Sequence, residues 1–302
     1  MTHMNNLERF ESLRQKSYQS YSKESKTATL LVVVALVFGI IAFMTEMFIL
    51  VIAIIFLIAG MAYGAKAARH AHGFRIFVKG EMISTLLKEQ FDEVSYQPNG
   101  TIPASTIVST GMVKRPDRFN GEDYIKGKYK GVQFEVSDVD LKERVETRDS
   151  KGNVHVSYQT YFKGRWYIYK FERMFNEVLK ISEGYNFQMN TRGLVKIDTE
   201  SIEFNKKFSI FASTQEHGFY LITSTTIEKF LQLEKLHRGS ILYYFAKNEL
   251  HIGVNDRRDY MEFSLKKPIN QETLKEFMAD IDLIAAIINE LRLDGSKFKN
   301  SL

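Results

Sequence analysis

A chain of 302 residues with seven histidines and no cysteine offers few places for chemistry. Without thiols there are no disulfides, thiol nucleophiles or cysteine-based zinc or iron–sulfur sites. His70 and His72 come nearest to a ligand pair, but two residues apart on a helix they diverge and do not share a metal ion easily. The phosphate-binding patterns G-x-x-x-x-G-K-[ST] and G-x-G-x-x-G do not occur. Neither do H-E-x-x-H, G-x-S-x-G or the kinase set. Serines and aspartates are plentiful, so a triad assembled from distant residues stays open. No catalytic, cofactor-binding or metal-ligating residue is assigned, and no cofactor is expected.

Some clusters remain to be weighed. Gly121-Glu122-Asp123 precedes a strand and Arg257-Arg258 falls in a loop, both places where charges are usually solvated. Trp166-Tyr167-Ile168-Tyr169 reads as a ligand platform or, more simply, as sheet core. Asn99-Gly100-Thr101 fits the glycosylation sequon, which a cytoplasmic placement leaves unmodified. Glu46 is the one acid in a long apolar stretch, a proton-relay candidate or an interfacial turn acid.

That stretch, Thr27 to Ala65, organises the chain. A bilayer core of ~30 Å takes about 20 apolar helical residues, and Thr27 to Met44 and Met47 to Ala65 each come close to that length. One straight helix through the whole stretch is about twice too long, a mismatch that tilt does not absorb. A turn at Thr45-Glu46 places the carboxylate at the far interface, where its charge costs least. Lys23 and Lys26 precede the first span, and Lys66, Arg69, Arg75 and Lys79 follow the second, with no acid before Glu81. The positive-inside rule then puts both termini in the cytoplasm, and the same collar attracts anionic headgroups. Net charge is +5, with both signs interspersed through the rest of the chain, so no nucleic-acid face is indicated.

The remaining elements follow from local pattern. Met1 to Lys26 is an amphipathic helix that lies on the membrane surface or packs on the soluble part. Phe74 to Val94 continues as amphipathic helix, and Tyr96 to Gly100 is a turn. Asp117 to Phe171 is rich in β-branched and aromatic residues, with local turns that predict an antiparallel meander. Glu200–Lys207 reads as helix, Phe208–Phe211 and Gly218–Ile222 as strands. A capping box at Thr225 and Glu228 starts a helix through His237. Ser240–Ala246, Glu249–Val254 and Tyr260–Leu265 read as strands, the first two joined by a hairpin at Lys247-Asn248. A last helix starts at Asn270, with Ile269 and Leu274 as a hydrophobic staple.

Three segments also resemble a known family. Tyr161-Phe162-Lys163-Gly164-Arg165-Trp166 through Phe175 is similar to its F-K-G-aromatic segment. Ile202-Glu203-Phe204-Asn205-Lys206-Lys207-Phe208, then Tyr220-Leu221-Ile222-Thr223, is similar to its E-F-x-K-x-F…Y-x-L-T segment. Gly121-Glu122-Asp123-Tyr124-Ile125-Lys126-Gly127 resembles its G-x-D-x-x-x-G opening strand. The family is the bacterial membrane-anchored one catalogued as domain of unknown function three-one-three-seven. The resemblance covers roughly residues 75 to 293 and the hairpin, and departs at Ser213 to His217, where a more acidic turn is expected. It implies a bacterial inner-membrane protein and supplies no catalytic residues.

The expected class is α+β: an N-terminal two-helix transmembrane hairpin, then a mixed, mainly antiparallel sheet domain with packed helices. Residues 1–26 form an amphipathic cytoplasmic segment and 27–65 the hairpin (27–44 and 47–65). Residues 66–95 form a juxtamembrane helix and 96–302 a cytoplasmic α+β domain. The expected function is a non-enzymatic interaction module tethered at the inner membrane. Its expected partners are the lipid bilayer with its anionic headgroups and either a membrane protein or a second copy; nucleic acid is not expected. The rival readings are a membrane-associated hydrolase with a site built from distant residues, and a small oligomeric transport subunit. The small-xxx-small pair Gly60 and Gly64, with Gly39, would serve the latter as helix contacts.

Overall fold

The computed structural model describes residues 2–44, 47–184, 189–235, 239–262 and 264–300, so the expected turn acid Glu46 lies outside the described residues. The chain forms two compact units, Met1–Ile83 with Glu262–Met278, and Ser84–Met261 with Ala279–Leu302.

In the first unit, helix α1 (Thr2–Met44) and helix α2 (Phe48–Val78) carry the apolar stretch, and α2 runs on into a π-helical turn at Lys79–Ile83. Nothing interrupts α1 where the polar sequence becomes apolar. Its 43 residues make one rod, about 65 Å long at 1.5 Å per residue. Residue numbers fall along α2 as they rise along α1. Val32 and Ala28 meet Gly60, Ala28 also reaches Gly64, and the rings of Phe38 and Phe56 stack at 5.8 Å. The helices are therefore antiparallel. Along the apolar stretch and just past it their buried residues are small and seven apart, Ala28 and Ala35 on one helix, Ala53, Gly60 and Ala67 on the other, while larger side chains, Phe10 and Arg14 of α1 and Phe74 and Val78 of α2, are buried only beyond it. Leu30, Leu36, Ile40, Ile55, Ile58 and Met61 point outward and are exposed. Small residues inside and large apolar residues outside invert the pattern of a soluble helix pair, and both helices are long and apolar enough to cross a membrane.

The second unit is built on a seven-stranded sheet: β1 (Glu93–Gln97), β2 (Arg118–Tyr129), β3 (Val132–Arg148), β4 (Val154–Glu183), β5 (Val195–Ile197), β6 (Phe208–Ala212) and β7 (Ser240–Asn255). The order is β1-β2-β3-β4-β6-β5, with β7 also pairing β4, and every pairing is antiparallel. The meander and the α+β class hold. Around the sheet lie α3 (Ser84–Gln90), α4 (Ala104–Ser109), α5 (Ile202–Lys207), α6 (Gln215–Leu221) and α7 (Ser224–Lys235). The last helix, α8 (Gln271–Glu290), begins in the first unit and ends in the second.

Strand β4 is the spine. Alternate residues along it serve opposite faces. Trp166 and Ile168 enter a core with Ile102, Ile107, Met112, Val139, Leu141 and Leu242. Tyr167 and Tyr169 stack at 6.2 Å on the other face, where the Tyr169 hydroxyl donates to the Ile284 carbonyl of α8 at 3.2 Å. Gly164 sits at φ +149°, and a Cβ there would lie 2.1 Å from the Val254 carbonyl of β7. That contact explains the glycine in the F-K-G segment.

Some elements differ from the sequence reading. Gly218–Ile222 is not a strand. Thr214 caps the amide of His217 and winds the segment into α6, and Gly218 lets the Ile197 side chain fit against it. Residues 240–255 are one strand without a hairpin: Lys247 takes φ +55° within it and pairs with Phe175, on either side of which β4 bulges with extra residues. Val94 belongs to β1, which follows α3 after a two-residue break. The cap of α7 is Thr223, which accepts the amide of Thr226, two residues before the expected box. Tyr260 and Met261 are turn, with Met261 at φ +54°. Asn270 caps α8 as expected, accepting the Thr273 amide at 2.9 Å.

Candidate functional site

Each unit holds a charged cluster. In the first, Tyr21 of α1 and Ala71, His72 and Arg75 of α2 line a cavity of about 510 Å³ with Ser264, Leu265 and Lys266. The 264–269 segment is fastened to α1 by two side chains of its first turns. Glu11 takes a bidentate bond from Arg14 at 2.7 and 2.8 Å and accepts the Ile269 amide at 2.7 Å. Arg14 Nη1 donates to the Leu265 carbonyl at 2.8 Å. The Arg14 hydrogen bonds hold the Glu11 carboxyl at about 2, against a burial effect that opposes them. Arg75 of α2 and the buried Lys79 of the π-helical turn after it both bond Glu262, Lys79 at 2.7 Å. Folding thus neutralises part of the basic collar with an acid distant in sequence. Lys23, Lys26, Lys66 and Arg69 have no carboxylate partner among the described residues, and neither does Lys266, whose ammonium lies 6.0 Å from the Tyr21 ring centre.

The position of this cavity along the helices matters. Tyr21 precedes the apolar stretch by six residues and Ala71 follows it by six, so both lie about 9 Å beyond its ends. For a helix pair crossing a bilayer, that is the outer headgroup region.

In the second unit a buried ionic cluster lies on the tyrosine face of β4. Arg165, fully buried, donates through Nε to Asp138 Oδ1 of β3 at 2.7 Å. Asp138 Oδ2 accepts the Tyr260 amide at 2.9 Å. The guanidinium lies 4.0 Å above the Tyr260 ring, and Arg258 approaches the same ring at 4.6 Å. Burial pushes the Asp138 carboxyl up against the pull of Arg165. Burial opposes the Arg165 charge, but the Asp138 carboxylate more than offsets this and the guanidinium stays above its ordinary value. Asp280 of α8 is also raised by burial, with Arg258 at 3.6 Å. The two terminal nitrogens of Arg165 and the Tyr167 hydroxyl reach no hydrogen-bond acceptor or donor among the described residues.

The clusters weighed from sequence are sorted by this geometry. Trp166 to Tyr169 are core, not platform. Asp123 is buried rather than solvated: it sits at φ +57° in a bulge of β2 and accepts the Tyr96 hydroxyl at 2.5 Å. Arg258 joins the Arg165 cluster, while Arg257 turns the chain through its amide bond to the Lys163 carbonyl. His72 lines the cavity and His70 does not. Sequence reasoning misses Arg165, although it shares the alternation of Tyr167 and Tyr169 and so has to face inward with them.

Exposed His155 lies 3.5 Å from Asp149, and two buried histidines also have acid neighbours but no free role as a general base. Trp166 Nε1 donates to His251 Nδ1 at 3.3 Å, and His251 Nε2 faces Glu249 at 3.0 Å, so both ring nitrogens are engaged. His217 Nδ1 lies 3.2 Å from Glu177, while its Nε2 is buried and makes no hydrogen bond among the described residues, the ring 5.6 Å from that of Phe175. Burial lowers the His217 pKa. Neither arrangement presents a nucleophile to the base.

No curated protein matches the chain. The crystal structure of the mycobacterial trehalose monomycolate transport factor A, TtfA, aligns with 70% of this chain and 96% of its own, at 7% identity and a TM-score of 0.39. Residues 160–293 match the family model described as protein of unknown function (DUF3137). That segment runs from the β4 spine to α8 and contains the F-K-G and E-F-x-K-x-F runs, so the resemblance to the DUF3137 family rests on this part of the sheet unit.

Proposed function

We propose that the chain is a membrane-anchored interaction module in which α1 and α2 cross the bilayer as a hairpin and both termini face the cytoplasm of a bacterial inner membrane. The observation that carries this reading is the inverted burial of the two long helices. Only 6% and 11% of their most apolar windows are buried, far below what a core helix of a soluble protein shows. Lys23, Lys26, Lys66 and Arg69 collect at the end of the helix pair away from Phe43 and Phe48, which supports this orientation. The cavity lined by His72, Arg75 and Lys266 lies at headgroup depth and accepts an anionic lipid headgroup. A membrane protein or a second copy is the further partner this reading allows.

The absence of native cysteine makes the test clean. Single cysteines at Glu46, Lys23 and Arg69 are labelled in intact cells with a membrane-impermeant maleimide. Glu46→Cys is expected to react from outside, and Lys23→Cys and Arg69→Cys only after permeabilisation. The reverse pattern overturns the orientation, and equal reaction at all three positions overturns the span.

A further inference from the structure

The second unit holds a cavity of about 410 Å³ between the start of α7 and the segment after α8, within the ~300–1,000 Å³ range of small-molecule sites. Leu221, Phe245, Leu291 and Phe298 give it an apolar floor, and Lys229, Arg292 and Lys297 face one acid, Glu290. Glu290 is bonded to Lys229 at 2.5 Å. That leaves Arg292 and Lys297 without a carboxylate partner among the described residues. Lys297 Nζ donates to the Leu221 carbonyl at 3.1 Å and lies 5.2 Å from the Tyr220 ring centre.

We propose that this cavity binds a small organic anion, a phosphate or carboxylate head on a short apolar body, with the head on Lys297 and Arg292 and the body on the Leu221–Phe298 floor. Solvation accounts for Arg292, which is exposed, but not for Lys297. A half-buried ammonium with a carbonyl and a ring face as partners has lost water without gaining a counter-ion, and burial holds its pKa below the ordinary lysine value. An anion between the two cations removes that penalty, and the hydroxyls of Thr225 and Ser296 line the same cavity as further donors. The apolar floor selects against a bare inorganic ion, since it gains only when an apolar body covers it. This site is independent of the anchor and of its headgroup cavity.

The test uses the full-length protein in phosphatidylcholine nanodiscs, titrated calorimetrically with octyl phosphate, inorganic phosphate and octanol. One saturable site for octyl phosphate is expected, roughly tenfold or more tighter than for either of the other probes. Lys297→Gln and Arg292→Asn should each weaken it by roughly tenfold. Arg292 is exposed at φ +50°, a conformation asparagine tolerates well, so Arg292→Asn keeps the fold and separates lost binding from lost structure. Repeating the titration in discs that contain phosphatidic acid locates the source. Weaker apparent affinity there supports a membrane lipid as the ligand, and unchanged affinity supports a soluble one. No saturable octyl phosphate site, equal affinity for octanol, equal affinity for phosphate, or full affinity in both variants overturns the proposal.

Discussion

Arg165 and Asp138 illustrate what one buried pair does in a sheet. Their 2.7 Å bond joins β3 to β4, and the Asp138–Tyr260 bond ties the turn after β7 to the same place. Removing one member leaves the other charged and dry, which destabilises more than the intact pair stabilises. Arg165→Met is therefore expected to destabilise the second unit by about 3–5 kcal/mol. The double variant Arg165→Met with Asp138→Asn should recover much of that loss, because the asparagine side chain is neutral and its carbonyl can still accept the Tyr260 amide. Trp166 is the single tryptophan and adjoins the pair, so urea unfolding followed by its fluorescence reads the effect directly. A double variant as unstable as the single one would show that the pair does more than cancel its own charges. At this scale the sequence is hardest to read. Asp123 reads as solvated and Arg165 draws no notice, because only pairing across strands distant in sequence makes their burial tolerable. The strand alternation that places Arg165 beside Tyr167 is present in the letters; its partner Asp138 is not.

Elements are more legible, and the misses share a cause. The apolar stretch, the β2–β4 meander and the Asn270 cap are readable because each rests on local periodicity or a local hydrogen bond. Gly218–Ile222 and the Lys247-Asn248 turn are misread because a side-chain cap in one case and a left-handed lysine in the other override propensity. The helix pair shows a different kind of shift. Gly60 and Gly64 have the spacing of an oligomer contact, yet Gly60 faces α1 of its own chain. A side chain at Gly60 would place Cβ 2.9 Å from Val32 Cγ2 and 3.3 Å from the Ala28 carbonyl, so Gly60→Leu must push the helices apart. The seam offers its own ruler. A Cβ built at Gly64 lies 4.0 Å from Ala28 Cβ, within the span a disulfide bridges. Ala28→Cys with Gly64→Cys is expected to cross-link within one chain on oxidation in membranes, and adding Gly60→Leu should abolish the cross-link. Cross-linked dimers in place of the internal bond would return Gly60 and Gly64 to an interface between copies.

For the whole molecule, the consequential feature is that the chain does not divide in sequence where it divides in space. Residues 262–278 belong with the helix pair, although the chain on either side of them belongs to the sheet unit. No local pattern could show this, because it depends on single contacts between residues far apart in sequence. Glu11 accepts the Ile269 amide, Arg14 donates to the Leu265 carbonyl, and Arg75 and Lys79 share Glu262. The first part of α1 is thereby held by protein contacts. A truncation at residue 84, the natural choice for a soluble fragment, removes every one of these partners. Leu265, Ile269 and Phe277, buried in the intact chain, would become exposed apolar surface, and the Leu265 carbonyl and Ile269 amide would lose their bonds. Residues 84–302 alone are therefore expected to aggregate, or to stay soluble with fast amide exchange across 264–278, while the full chain in detergent protects the same amides. Exchange measured by mass spectrometry on both proteins separates the cases. A monomeric 84–302 fragment with slow exchange from Leu265 to Phe277 would mean that this segment has a second stable setting and that the helix pair is not what orders it.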